Sequence, residues 1–230
     1  MIAVVANPAL WRQLLPDAVV VVEATAAMWS WPPSPAEARC VHQAVPQRRA
    51  EFQAGRAAAR AALRSLGIEQ FDLLSGPHRE PLWPKGVVGS ITHTLHHCAS
   101  AVARQADVTS LGIDLEAEEA LSDDLIALAC SEHERKLLLQ MPDRAPGIWA
   151  KLIFSAKEAF FKAYYPHAQT FLEFHDVGIA LDPQRGEFEA QLIRDDLPTL
   201  FGSRRAIGRY AIQDGLIYTA LATPAPPHIA

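Results

Sequence analysis

The stretch Trp149 to Pro166, WAKLIFSAKEAFFKAYYP, leaves the chain the fewest options. Leu152, Ile153, Ala156, Ala159, Phe160 and Ala163 spread apolar character around most of a helical circumference, the pattern of a helix packed inside a domain rather than lying on its surface. Phe154, Glu158 and Lys162 recur every four residues and share one face. Glu158 and Lys162 are therefore charges in a mostly apolar setting. The plain reading is a solvated Glu-to-Lys pair one turn apart, stabilising the helix by a few tenths of about 1 kcal/mol. The alternative, a pair carrying chemistry, needs support from elsewhere in the chain.

With 230 residues, the chain can bury a sizeable core, as one domain or as two lobes of about 110 residues each. Asp plus Glu number 26 against 21 Lys plus Arg, a net charge of −5, which argues against a nucleic-acid protein whose affinity comes from bulk positive charge. An anionic ligand must then be met by a local basic cluster. Cys40, Cys98 and Cys130 are scattered, with no CxxC spacing, and read as reduced cytoplasmic thiols. Met1 to Leu10 lacks a basic leader region and is broken by Asn7-Pro8, and no apolar run approaches a membrane span. A soluble, cytoplasmic, monomeric protein is expected.

Along the chain, Val19 to Val22 suggests a buried strand, and Trp31 to Pro35 forbids regular structure until Ser34 or Pro35 opens a helix. Gln47 to Leu66 is an alanine-rich helix ending at Gly67, a residue suited to a left-handed cap. Phe52, Ala59, Leu63 and Leu66 lie on one stripe, and Arg49, Arg56 and Arg60 on its neighbour, either a solvated basic face or an anion-binding edge. Ser75 to Gly86 is a Pro- and Gly-rich irregular loop, followed by strands at Val87 to Thr94 and Cys98 to Ala103. His93, His96 and His97 sit at their join, and a zinc site there lacks a companion ligand pair. Ser122-Asp-Asp opens a short helix, and Ser131 to Glu134 has capping-box spacing. Four short strands follow Pro166, at Val177 to Leu181, Phe188 to Ile193, Ala206 to Ile212 and Leu216 to Ala222, before a proline-rich tail from Pro224 that should fray. Both halves thus offer helices and strands, which suits two similar α+β lobes.

Ser110 to Glu116, SLGIDLE, is the second informative stretch. Alternation sets Leu111, Ile113 and Leu115 on one side of a strand and Asp114 and Glu116 on the other. Two carboxylates at successive positions of one face repel unless a cation lies between them. Their hard oxygens suit Mg²⁺, which takes one or two carboxylates and completes its octahedron with waters and phosphates. A solvated strand end beside Glu118-Glu119 is the other reading.

Gly112-Ile-Asp-Leu-Glu116 followed by Phe154-Ser-Ala-Lys-Glu-Ala-Phe-Phe-Lys162 resembles the paired signature of the 4′-phosphopantetheinyl transferases. Arg48 to Arg56 (RRAEFQAGR), Arg79 to Pro84 (REPLWP) and Gly89 to His93 (GSITH) further resemble the enterobactin-synthase component D type. The resemblance spans roughly residues 45–182, with five motifs in order.

What it implies is transfer of the 4′-phosphopantetheine group of coenzyme A to a serine of an apo carrier protein, releasing adenosine 3′,5′-bisphosphate. Siderophore, nonribosomal-peptide or polyketide synthesis is the pathway class it suggests. The implied fold is α+β, two similar α/β lobes in pseudo-twofold relation, taken here as residues 1–108 and 109–230, with coenzyme A in the cleft between them. By the same resemblance Asp114, Glu116 and Glu158 hold Mg²⁺, or Mn²⁺ in its place, and Glu158 takes the serine proton. Lys157 and Lys162 meet the phosphates or the leaving group, and Arg48, Arg56, His93, Ser90 and Thr92 contact coenzyme A. Relatives of this type can carry a lysine at the position of Ser75, for which Arg79 or Lys85 would substitute. Trp83 is open to two readings, flanking the adenine or packing. A module that binds coenzyme A or a carrier without catalysis, and a metal-binding regulator built on the three histidines, are the alternatives.

Overall fold

The computed structural model describes residues 8–94 and 96–226. It divides into two compact units, one built from Gly112–Leu221 and the other from the described residues up to Leu111 together with those from Ala222 onward. The class is α+β, with two antiparallel sheets.

The unit that begins the chain holds α1 (Pro8–Leu14), β1 (Val20–Glu23), α2 (Pro35–Arg39), α3 (Pro46–Ser65), β2 (Val87–Thr94) and β3 (His97–Arg104). Its sheet runs β1-β3-β2, with Ser100 opposite both Val22 and Ile91. Small residues let α3 lie close to this sheet: Ala54, Ala57, Ala58, Ala59 and Ala62 are buried, with Phe52 and Leu63 supplying bulk. The helix stops where the sequence calls for it, with Gly67 at φ +77°, a value costly for any residue with a Cβ. Ser34 caps α2 in a full capping box with Glu37. Helix α1 has no clear signal in the sequence; it is anchored by its own wholly buried Trp11, whose indole N–H donates to Glu23 of β1 at 2.9 Å.

The expected irregular loop after α3 is more ordered than its prolines suggest. Ser75 and Pro81 form a bridge, Gly76 N–H donates to Glu80 O at 2.8 Å, and Leu82 N–H to Leu74 O at 3.0 Å, which closes a small hairpin. Trp83 packs on β2, where a Cβ at Gly89 would come within 2.6 Å of its ring, and so takes the packing reading.

The second unit holds most of β4 (Val108–Ala117), then α4 (Asp123–Ala129), α5 (Glu132–Leu138), α6 (Pro146–Ala168), β5 (Val177–Asp182), β6 (Glu187–Leu192), β7 (Arg205–Gln213) and most of β8 (Leu216–Pro224). The sheet order is β4-β8-β7-β6-β5, and the chain changes unit inside β4 and again inside β8. All six apolar positions named for the long helix are buried in the core. Helix α6 is longer than expected at both ends. Pro146 starts it, at a position where the missing N–H costs nothing, and it continues through Pro166 to a left-handed Gln169 at φ 48°. Near a C-terminus a proline removes a single intrahelical bond, which the buried face of α6 outweighs.

One contact sets the spacing of strand and helix. A Cβ added to Gly112 of β4 would run into Ala159 O, and would stand 2.9 Å from Ala163 N, both backbone atoms of α6. Only glycine permits that approach. At the far end, β8 runs to Pro224 and Ala225 N–H donates to Asp107 O at 2.9 Å, so regular pairing goes further than expected. Residues 227–230, and residues 1–7 with most of the leader reading, lie outside the described residues. Among the described residues no helix is long and apolar enough to cross a membrane.

Candidate active site

In the second unit, β4 delivers Asp114 and Glu116 while α6 delivers Lys151, Ser155, Lys157, Glu158 and Lys162. Asp114 is buried and fully engaged: Oδ1 receives Lys162 Nζ at 2.6 Å and Oδ2 receives Ser155 Oγ at 2.7 Å. Lys162 also donates to Ile113 O at 3.3 Å. Glu116 pairs with Lys151 at 3.1 Å, a partner the sequence reading did not name. Glu158 lies a turn from Lys162 on α6, half-buried, and accepts no hydrogen bond or ion pair among the described residues. Burial pushes its carboxyl above the usual range; Lys162 opposes that, and the charges of Asp114 and Glu116 add to it. Glu116 is also raised, first by burial and then by Asp114. Three carboxylates thus act on one another with too little positive charge among them.

That imbalance suits a hard cation. No group of three His, Cys, Asp or Glu among the described residues forms a ready metal cage. Mg²⁺ does not need one, since it characteristically takes one or two carboxylates and fills its remaining positions with water and phosphate oxygens. The donor chemistry of Asp114, Glu116 and Glu158 fits the ion.

Lys157 departs from the role the resemblance gives it. Its side chain is 2% exposed, and the ammonium spends its three N–H groups on Glu134 Oε2 (2.9 Å), Ala129 O (2.9 Å) and Phe174 O (2.8 Å). Glu134, read in the sequence only as a capping residue, also accepts from Ser131 N–H at 2.6 Å and Ile179 N–H at 2.8 Å. As folded, Lys157 ties α4, α5 and the segment before β5 together instead of offering a free charge.

Beside it lies a cavity of about 580 Å³, lined by Leu128, Glu158, Phe161, Phe171, Leu172 and Phe174 among others. Its wall is mostly apolar, with Glu158, Glu173 and His175 among its polar residues. The aromatic part of this wall has no signal in the sequence, since Phe171 lies in an irregular segment after the helix and Phe174 opens a 3₁₀ turn of only three residues, Phe174–Asp176.

The first unit gathers a different set. Arg48 Nη1 lies 2.7 Å from His93 Nε2 and 3.5 Å from Glu51 Oε2, so a neutral His93 accepts from Arg48 while its Nδ1 side faces Glu51 at 3.7 Å. Both Arg48 and His93 keep substantial exposure. Arg56 does not: it is 5% exposed, donates Nε–H to Leu73 O at 2.6 Å and Nη2–H to Ser75 Oγ at 3.0 Å, and stands over the Phe52 ring. Burial lowers its pKa to about 10, still cationic at neutral pH. Arg60 is also drawn inward, pairing with the wholly buried Glu37, whose other oxygen accepts Leu73 N–H at 3.1 Å. The arginine stripe is therefore largely internal, with Arg49 left exposed. Arg79 is exposed in the hairpin, at φ 68°. Ser90 and Thr92 are buried, and alternation along β2 sets them on the face opposite His93, so the three do not converge.

Two family profiles match in tandem: the 4′-phosphopantetheinyl transferase N-terminal domain over residues 36–103, and the 4′-phosphopantetheinyl transferase superfamily over residues 110–213. The chain is 43% identical over 196 residues to 4′-phosphopantetheinyl transferase Svp of Streptomyces mobaraensis, covering 84% of this chain and 79% of that one. The chain belongs to the 4′-phosphopantetheinyl transferase superfamily. Another transferase of the superfamily, PptT of Mycobacterium tuberculosis, is 34% identical over 224 residues, 92% of this chain and 97% of its own. Enterobactin synthase component D of Escherichia coli K12 is 38% identical over 123 residues, 51% of this chain and 55% of that one. Every candidate residue named above from Arg48 to His93 lies inside the first matched segment, and Asp114 to Lys162 inside the second.

Proposed function

We propose that this transferase moves 4′-phosphopantetheine from coenzyme A to a serine of an apo carrier domain with the help of Mg²⁺. The observation that carries the reading is Glu158, a carboxylate with raised proton affinity and no hydrogen-bond or ion-pair partner among the described residues, which lines an apolar cavity and feels the charges of Asp114 and Lys162. In the reaction the serine Oγ forms a bond to the β-phosphorus of coenzyme A. The bond from that phosphorus to the bridging oxygen breaks, and its electron pair leaves on adenosine 3′,5′-bisphosphate. Glu158 takes the serine proton, directly or through one water. Asp114, Glu116 and Glu158 would hold the metal, which when bound supplies charge to neutralise the diphosphate. Lys162, able to leave Asp114 for a stronger anion, meets the phosphate oxygens.

The apolar cavity suits the uncharged arm of the substrate better than any of its phosphates. Arg48, His93 and Arg79 are the exposed or half-exposed groups offered to the nucleotide phosphates. Arg56 contributes charge from within, and Ser90 and Thr92 contribute to binding through the strand that bears them. A monomer in the cytoplasm, serving siderophore, nonribosomal-peptide or polyketide carriers, completes the reading.

The test is mass spectrometry of an apo carrier incubated with coenzyme A and the protein. A gain of one phosphopantetheine with Mg²⁺ or Mn²⁺, and none in chelator, is the expected result. Glu158→Gln should abolish the gain while leaving the melting temperature close to wild type. Transfer in chelator would remove the metal role, and transfer by Glu158→Gln at wild-type rate would remove the base.

A further inference from the structure

Helix α6 and strand β8 each carry one hydroxyl where packing alone asks for none. Ser155 and Thr219 are both wholly buried, Ser155 inside the helix core and Thr219 within the apolar run Leu216 to Leu221. Alanine and valine would fill those volumes, and a buried hydroxyl is a cost unless it is bonded. A mid-helix serine ordinarily turns back to the carbonyl one turn earlier. Ser155 reaches away from its own helix instead. Its Oγ lies 2.7 Å from Asp114 Oδ2 and 2.9 Å from Thr219 Oγ1, and Thr219 Oγ1 is 3.1 Å from Ser155 O.

Counting protons gives these contacts a direction. An ionised Asp114 only accepts, so the single hydroxyl proton of Ser155 goes to Oδ2. The contact between the two hydroxyls is then a hydrogen bond only if Thr219 donates, with Ser155 O as its second acceptor. The single Thr219 proton is then shared between Ser155 O and Ser155 Oγ, and the side-chain order is Thr219 to Ser155 to Asp114. With Oδ2 held from the helix side, the carboxylate cannot rotate freely, and Oδ1 is turned to the side where Lys162 sits at 2.6 Å.

We propose that Ser155 and Thr219 are positioning residues which lock the Asp114 carboxylate so that Oδ1, which receives Lys162 in this structure, is presented to the divalent cation when Lys162 turns to the phosphates. The inference rests on Asp114 being a ligand of that cation. Donors that orient a metal-binding side chain typically matter by about 10–100-fold in affinity or activity.

The experiment is Mn²⁺ binding to the full chain, measured by electron paramagnetic resonance of the free ion with coenzyme A present, beside the melting temperature of each variant. Ser155→Ala and Thr219→Val should weaken Mn²⁺ binding about tenfold, and Thr219→Ser, which keeps the hydroxyl, should stay within about threefold of wild type. Because Thr219 acts through Ser155, the double variant Ser155→Ala, Thr219→Val should bind no more weakly than Ser155→Ala alone. Additive losses in the double variant, or Mn²⁺ affinity within about twofold of wild type in Thr219→Val, would overturn the proposal. Thr219→Val is nearly isosteric and decides the matter even if Ser155→Ala does not fold. Wild-type protein that binds no Mn²⁺ would remove Asp114 as a ligand, and the inference with it. Wild-type binding matched by the variants would remove this inference alone.

Discussion

Replacing Lys157 by methionine should unfold the Gly112–Leu221 unit at much lower denaturant. The Lys157–Glu134 pair is 2% exposed on both sides, and removing the ammonium strands a carboxylate and deprives two carbonyls, Ala129 O and Phe174 O, of a donor. Breaking one side of a buried ion pair costs about 3–5 kcal/mol, mostly as the uncompensated charge. With a urea dependence of about 2 kcal/mol per molar, the midpoint should fall by about 1.5–2.5 M. Lys136→Met is the control, since its partner Glu132 is as exposed as Lys136 itself, and the midpoint there should hardly move. Adding Glu134→Gln to Lys157→Met should recover part of the loss, because the stranded charge disappears while Ile179 N–H keeps an acceptor. A loss under about 1 kcal/mol in Lys157→Met would show that water reaches the pair, and the clamp reading of Lys157 would fail.

Other outcomes follow from burial and charge. Gly112→Ala should cost at least about 1–3 kcal/mol, and yield little soluble protein, because the new methyl meets helix backbone that cannot swing aside; a wild-type melting temperature would refute the packing. Of the three thiols, iodoacetamide should label exposed Cys40 under native conditions, with Cys98 and Cys130 reacting only after denaturation. Burial pushes the Cys130 thiol up to about 11, so raising the pH to about 9 should not change this; peptide mapping of the alkylated protein checks it. Glu116 and Glu158 are raised above 4.5, so their ionised forms are penalised in the fold and that penalty is relieved as pH falls through the raised values. If both hold the cation, as proposed, protons and the cation compete for the same oxygens. The Mg²⁺ concentration for half-maximal transfer should rise as pH falls toward these raised values, while the two groups give the apo protein no loss of melting temperature over the same descent. A pH-independent Mg²⁺ requirement would rule out both residues as ligands.

What the sequence shows and what it hides divide along physical lines. Periodicity locates α3, α6 and the strands from β2 to β8, and local chemistry locates the capping box at Ser131 and the helix start at Ser34, because those signals act over a few residues. The carboxylates of β4 and the charges of α6 are legible as types and as faces. Their partners are not. Glu134 meets Lys157 across 23 residues, Ser155 meets Asp114 across 41, and Thr219 meets Ser155 across 64. Such pairings depend on sheet order and on where a helix crosses it, which no short window records. Arg56 shows the same limit: its stripe on α3 is readable, but its capture by Leu73 O and Ser75 is decided by a later loop.

The contact between Gly112 and the backbone of α6 bears on how such a centre could be transplanted. Copying Asp114, Glu116, Glu158 and Lys162 onto another strand and helix would reproduce the functional groups without their separation, which side chains do not set. The separation comes from main chain resting on main chain at a residue with no reactive group at all. A designer's first specification would therefore be a clearance between two backbones, with the choice of carboxylates coming after it.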